Sequence, residues 1–373
     1  LTANAYLSGA KVADFSMFTP GPFASQILAD LGATVLKIER PKVGDLERVT
    51  VPAYFAAYNR GKASIELDLK RPEAIEAARE LVREADILLD GFRPGVMERL
   101  GLGFAALSAI NPRLIYISLN GLGSWGPLAQ QRGHDSDYMA RIGALGVTPR
   151  PGGVPMYDLP MPISDYAAGM YAVIAALGEY GRQPRRAVHV EVPVMAAGLA
   201  WMFPKIVREL EAESAGAVHR ELPAVGCFRT ADDRYVTVTA VEDHVFADLC
   251  AAMGAPDMAA DPRFGDMAGR REHAAEINAR ISAFVGTLNF KECLDLMDRH
   301  GAPCAPVNRP SEVFDDPQVA SLEMLHREPS LHADLPIFGI ERLRRVRPPG
   351  LGEDSEHVAA HGWDGLAERL EKR

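Results

Sequence analysis

KVADFSMFTPGPFASQILADLGATVLKIERP, residues 11–41, sets the fold class. KVADF (11–15) reads as a short apolar strand that runs into the loop SMFTPGP. ASQILADLGA (24–33) then places apolar residues at helical spacing, with Gly32 positioned to stop the helix. TVLKIER (34–40) is a second strand, ended by Pro41. Strand, Gly/Pro loop, helix and strand make one βαβ unit, with Gly21 near the helix start. The loop lacks the GxGxxG spacing, so it argues only weakly for a dinucleotide. A plain turn with Pro near the first helical position explains TPGP equally well.

Further along, the pattern repeats. SIELDLK (64–70), DILLDGF (86–92) and RLIYISLNG (113–121) read as strands, and PEAIEAARELVREA (72–85) as an amphipathic helix. Strands alternating with helices predict an α/β fold with a parallel sheet covered on both faces and ligands at the C-terminal strand ends. Cations gather near those ends: Arg40, Arg60, Lys62, Arg93 and Arg99. They suit a phosphate-bearing ligand, or else a set of surface charges. RAVHVEVPVMAAGLAWMFPKIVREL (186–210) gives a strand and a long apolar helix, with His189 expected as a satisfied core residue.

After residue 210 the character changes. Residues 211–226 are polar and irregular, the expected linker. CFRTADDRYVTVTAV (227–241) reads as a hairpin, followed by helices from HVFADLCAAMGAPDM (244–258), EHAAEINARISAFVGTL and FKECLDLMDRHG, with APCAPVN (302–308) as a return strand. The expectation is a Rossmann-like large domain over 1–210, a smaller α+β domain over 227–312, and a polar segment over 313–373 returning to the large domain's surface.

The formal charge of −10 argues against a nucleic-acid partner, and no run approaches 18 apolar residues, so no membrane span is expected. The start, LTANAYLSGAKVADF, does not resemble a signal peptide. Cys227, Cys250, Cys293 and Cys304 form no CxxC pair and fit no zinc module, so reduced thiols, a cytoplasmic location and no metal are expected.

Candidate chemistry lies in 133–180. GHDSDY (133–138) sets His134 beside Asp135, and DYAAGMYAVIAALGEYG (165–181) reads as a helix with Asp165 at or near its N-cap. Two ionisable groups delivered by loops, one at a helix N-terminus, suit proton movement beside a developing negative charge. A capping Asp165 and a loop His134 held by Asp135 are the plainer alternatives.

ILADLGATVLKIERP (27–41), NRGKASIELDLKRPE (59–73), DGFRPGVMERLGLGF (90–104), LIYISLNGLGSWGP (114–127) and CAPVNRPSEVFDDPQV (304–319) together resemble the family III CoA transferases (CaiB/BaiF), which include the α-methylacyl-CoA racemases. The resemblance implies an interlocked homodimer in which CoA lies on the large domain and the active site faces the partner's small domain. It implies no prosthetic group, with coenzyme A as part of the substrate. The implied CoA-binding positions are Arg40, Leu67, Lys70, Gly91, Phe92, Arg93, Arg99, Gly133, Asp135 and Tyr138.

Two chemistries follow from the resemblance. In the racemase branch, Asp165 and His134 would remove and return an α-proton through an enolate, with the Asp165 N–H as one oxyanion donor. Glu242, in AVEDHVFADLCAAMG (240–254), would support that pair and raise the Asp165 pKa. In the transferase branch, Asp165 would attack an acyl-CoA and form an anhydride. His134 and Glu242 favour the racemase as the main expectation. NRGKASIELDL, DRHGAPCAPVN, and Ser164 in place of glycine favour the transferase as the alternative. A non-catalytic CoA-binding protein is the second alternative.

Overall fold

The computed structural model describes residues 6–146, 161–214, 222–327, 331–337 and 347–372. Two compact units emerge: Leu1–Val207 with Ser321–Arg373, and Arg208–Ala320. The division falls inside the helix Val194–Ser214.

The larger unit is built on a six-stranded sheet of β1 (Lys11–Phe15), β2 (Thr34–Glu39), β3 (Ala63–Glu66), β4 (Ile87–Asp90), β5 (Ile115–Ser118) and β6 (Val188–Glu191). All pairs are parallel, in the order β3-β2-β1-β4-β5-β6. Strand side chains alternate between two cores, as a pleat covered on both faces requires. Val12, Val35, Ile87, Leu89, Ile115 and Ile117 pack with the helices Pro20–Asp30 and Ile163–Tyr180. Ala13, Leu36, Leu88 and Tyr116 pack on the other face with the helix Pro72–Glu84.

Several sequence expectations shift in extent. β3 stops at Glu66, because Asp68 and Arg71 form a turn before Pro72. The 20–30 helix starts at Pro20, where Pro fits the first turn without losing a hydrogen bond. Gly32 has φ +109°, which ends that helix as expected. The C-terminal segment is less polar in practice than it reads. Trp363 is 4% exposed, donates Nε1 to the Leu81 carbonyl at 2.9 Å, and joins Leu366 and Leu370 in the second core. Burying a side chain of that size contributes roughly 2–3 kcal/mol, so the tail is part of the core rather than a surface cover. His189 also differs: it is exposed on edge strand β6, stacked on Phe104 and bonded to Ser118 Oγ at 2.9 Å.

The smaller unit holds an antiparallel sheet of β7 (Val225–Arg229), β8 (Tyr235–Thr239) and β9 (Cys304–Pro306), in the order β7-β8-β9. Asp233, at φ +60°, makes the hairpin turn. The long helix expected from His244 divides into Asp243–Ala252 and Pro256–Ala260, since Gly254 at φ +60° and Pro256 interrupt it. All four cysteines are free thiols. Among the described residues no helix is long and apolar enough to cross a membrane.

Candidate active site

β1 and β4 are neighbours whose chains continue in opposite directions across the sheet, the switch point at which α/β sheets open a crevice. The loops leaving β1 (Ser16–Phe18), β4 (Gly91–Pro94) and β5 (Leu119–Leu122) line a cavity of about 410 Å³, together with Gly133, His134, Tyr138 and Asp165. A second cavity of about 340 Å³ shares Phe18, His134 and Asp165 and adds Thr19, Glu47 and Tyr54. Asp165 lines both cavities. Gly91 is required here, because a Cβ would stand 3.0 Å from the Ser16 Cα.

A buried charge network holds the first loop in place. Asp14 accepts the Ser16 N–H at 2.9 Å and the Ser25 hydroxyl at 2.6 Å. Lys62 reaches Ser25 Oγ at 2.7 Å and Asn59 Oδ1 at 2.8 Å, and Lys37 pairs with Asp45 at 3.0 Å. Burial opposes the charge on Asp14, yet Lys37, Lys62 and the two serines together hold its pKa below the ordinary value. Asp45 Oδ1 in turn accepts the N–H groups of Phe18 (3.2 Å) and Glu47 (3.1 Å). Phe18 sits at φ +63°, a strained conformation for an aromatic residue, and its ring meets His134 edge-on at 5.5 Å.

His134 and Asp135 open a short helix, Asp135–Arg141, in which Asp137 accepts the His134 N–H at 2.9 Å. Tyr138 bonds back to the Gly133 carbonyl at 2.6 Å. Asp135 reaches across to the helix Ile163–Tyr180. Its Oδ1 accepts the Ser164 N–H at 2.8 Å, the Asp165 N–H at 3.3 Å and the Ser164 hydroxyl. Asp165 therefore lies two residues inside its helix and Asp135 does the capping. Two readings change as a result. Asp135 does not serve to hold His134, and the Asp165 N–H expected as an oxyanion donor is already engaged.

Burial, Asp135 and Glu47 raise the Asp165 pKa to about 8. Glu47 is 4% exposed, receives only the Thr19 hydroxyl on Oε1 at 3.2 Å, and leaves Oε2 without a partner among the described residues. Burial and Asp45 push its pKa to about 7. Sequence reasoning missed Glu47, Asp45 and Phe18. Nothing in KVGDLERVT separates a buried glutamate from the exposed charges around it.

Of the CoA positions, Gly91, Phe92, Arg93, Gly133 and Tyr138 line the first cavity, and Asp135 lines the second. Arg40, Leu67, Lys70 and Arg99 line neither; Arg40, Lys70 and Arg99 are exposed. Arg40 follows β2, and Leu67 and Lys70 follow β3, so they share the C-terminal edge of the sheet. Arg60 and Lys62 are not ligand cations. Arg60 pairs with Asp30 at 2.9 Å and Lys62 is fully enclosed in the network above. Glu242 belongs to the smaller unit, exposed at the N-cap of the helix Asp243–Ala252. His326, His332 and Asp334 have ligand atoms within 4.8 Å of one another, a spacing that can hold a metal, and none of them lines either cavity.

The family model described as CoA-transferase family III matches residues 7–355. The chain belongs to this family. An acetyl-CoA:oxalate CoA-transferase of Acetobacter aceti is 33% identical over 85% of this chain and 84% of its own length. A succinate–glutarate CoA-transferase of Agrobacterium fabrum is 30% identical over 95% of each chain. The crystal structure of the hypothetical protein Rv3272 from Mycobacterium tuberculosis superposes with a TM-score of 0.85 at 30% identity, covering 95% of this chain and 98% of that one. The names of such relatives favour the transferase alternative over the racemase reading. As a CoA-transferase family III member, the chain has an acyl-CoA as its expected substrate, in keeping with a crevice at the sheet's switch point.

Proposed function

We propose that the protein transfers CoA between an acyl-CoA and a carboxylic acid, with Asp165 as the nucleophile. One observation carries the reading: Asp165 sits where two cavities meet, its carboxyl without a hydrogen-bond partner among the described residues. A carboxylate that burial and like charges destabilise is a stronger nucleophile when it ionises. It attacks the thioester carbonyl, and the C–S bond breaks to give an acyl–Asp165 anhydride and CoA thiolate. The thiolate then attacks the Asp165 carbonyl and releases the acyl group as a carboxylate, leaving an aspartyl-CoA thioester. The incoming carboxylate attacks that thioester, and returning thiolate collects the new acyl group. The relatives named for oxalate, succinate and glutarate transfer support this direction of chemistry.

CoA binding rests on Gly91, Phe92 and Arg93 at the mouth of the first cavity, with Arg40, Leu67, Lys70 and Arg99 extending along the same sheet edge. The second copy of a homodimer is supported by apolar surface on the larger unit. Ile174 and Phe203 are each 59% exposed and Trp201 is 47% exposed, apolar surface that a second copy would cover. The division of labour expected from the sequence, with a CoA-binding large domain and a smaller α+β domain, belongs to this proposal, as does a cytoplasmic location.

The experiment that tests the function incubates the protein with an acyl-CoA and a second acid. Formation of the second acyl-CoA, with Asp165 trapped by hydroxylamine, is expected. Exchange of an α-proton in D₂O from a 2-methylacyl-CoA without an acceptor acid, and no CoA transfer, would overturn it in favour of the racemase. His134 beside Asp165 keeps that second reading in view.

A further inference from the structure

The second cavity carries more than the nucleophile. Among its described lining residues, Glu47, Asp135 and Asp165 are acidic and none is lysine or arginine. Thr19, Tyr54 and Met161 complete much of the remaining wall. Glu47 is not a solvated rim charge. It is 4% exposed, tied to Thr19 Oγ1 at 3.2 Å, and its Oε2 has no partner among the described residues. Lys37 and Lys62, the lysines that act on Glu47, are both fully buried and committed to Asp45, Ser16, Ser25 and Asn59.

We infer that Glu47 is a specificity-determining residue that restricts the acyl group to monocarboxylic acids and rejects acids with a second, distal carboxylate. The inference rests on the transferase reading only in taking this cavity as the acyl site. The physical reason is a difference between the two carboxylates of a diacid. The reacting carboxylate loses its charge when it becomes an anhydride or a thioester. The distal one stays anionic throughout, and the described wall meets it with three carboxyl groups and neither lysine nor arginine. Discrimination therefore arises from repulsion rather than from cavity size. It also depends on whether Glu47 is ionised. Glu47 interacts with Asp45, Thr19, Lys37, Lys62, Asp165, Tyr58 and Tyr166, and shares its cavity with Tyr54, His134 and Asp135. Burial and Asp45 raise its pKa to about 7, and Asp165, at about 8, changes charge in the same range.

Pentanoyl-CoA and glutaryl-CoA have acyl chains of five carbons and differ in the distal carboxylate. The full-length protein should bind pentanoyl-CoA at least roughly 30-fold more tightly at pH 8.5 by calorimetry, and pentanoate should exceed glutarate as an acceptor by a similar ratio. In Glu47→Gln the ratio should fall to within about 5-fold, since one wall charge is gone. In Asp165→Asn, where Glu47 is the remaining wall acid with a raised pKa, the binding ratio should also narrow between pH 8.5 and pH 6, which tests the idea even if Glu47→Gln fails to fold. Equal binding of the two CoA esters by the wild type, a ratio unchanged in Glu47→Gln, or a ratio unchanged by pH in Asp165→Asn overturns the assignment. If no acid accepts CoA from any acyl-CoA, the transferase reading falls while the binding ratio still judges Glu47.

Discussion

Asp135 Oδ1 accepts the backbone N–H of Asp165 at 3.3 Å, with the Ser164 N–H at 2.8 Å on the same oxygen. One acid thus caps the helix that carries the other. The cap brings two carboxyl groups close, and their repulsion is the second cause, after burial, of the raised Asp165 pKa. Stability at the helix end and basicity at the proposed nucleophile come from the same contact.

Asp135→Ala should separate these two effects. Losing an N-cap acceptor costs about 1 kcal/mol, and two N–H groups lose their partner here. The same change removes a like charge from beside Asp165 and lowers its pKa. The expected outcome is a lower denaturant midpoint together with a pH–rate limb moved to lower pH. A variant with wild-type stability and an unmoved limb would show that Asp135 does neither job.

Asp165 itself should weaken the fold at high pH. Its folded pKa, about 8, lies above the ordinary carboxyl value, so the folded protein holds a proton that the unfolded chain has already lost. Stability from this group is complete below about pH 4 and is lost progressively as pH rises to about 8. Asp165→Asn has no such loss. It should abolish transfer, and its stability advantage should grow from pH 5 to pH 9, reaching about 1–3 kcal/mol. Denaturant midpoints for both proteins at pH 5, 7 and 9 check the trend, and an advantage that shrinks with pH would refute it.

Transfer should rise with pH for the same reason. The attacking form is the carboxylate, so kcat/KM increases toward a plateau above about pH 8. Glu47→Gln removes one of the charges that raise Asp165, and the limb should move down in pH while burial keeps it above the ordinary carboxyl range. A pH profile on both proteins measures the direction.

The sheet was legible in the sequence because its rules are local. Apolar strands bounded by Gly32, Pro41 and Pro72 announce βαβ units, and strand ends announce where ligands go. Asp165 and His134 could be picked out through neighbouring motif residues. What sequence could not supply was pairing at a distance. Arg60 and Lys62 read as ligand cations, yet Asp30 and Asp14 claim them from other elements. Glu47 reads as a surface charge in ERVT, and only the packing of Asp45, Thr19 and the site loop around it makes it a buried acid. Phe18 carries a left-handed φ that no residue-type preference signals. Trp363 lies 282 residues from the Leu81 carbonyl it binds.

Gly133 should be intolerant of a side chain. A Cβ there would stand 2.8 Å from Tyr138 Cε1, on a ring fixed by its bond to the Gly133 carbonyl. Gly133→Ala must displace Tyr138 from the cavity wall, at about 1–3 kcal/mol for overpacking. The expected result is a lower thermal midpoint and a raised KM for acyl-CoA. Unchanged KM with lowered stability would place Tyr138 outside the substrate path.

His134 gives the sharpest division between the two chemistries of the family. Its ring meets Phe18 edge-on at 5.5 Å, and its side chain lines both cavities with Asp165. In CoA transfer no α-proton moves, so the imidazole positions the acyl group and shapes the wall. His134→Ala should then lower kcat/KM by roughly 10-fold or less, the scale of a lost contact rather than of a lost acid or base. In racemisation the imidazole must accept or donate the proton, and its loss would remove about 10²–10⁴-fold of the rate. Measuring acyl transfer and D₂O exchange on the same preparation of the variant tells them apart. Transfer that survives within about 10-fold, with no exchange in either protein, is the expected outcome. Exchange in the wild type that disappears in the variant would overturn it.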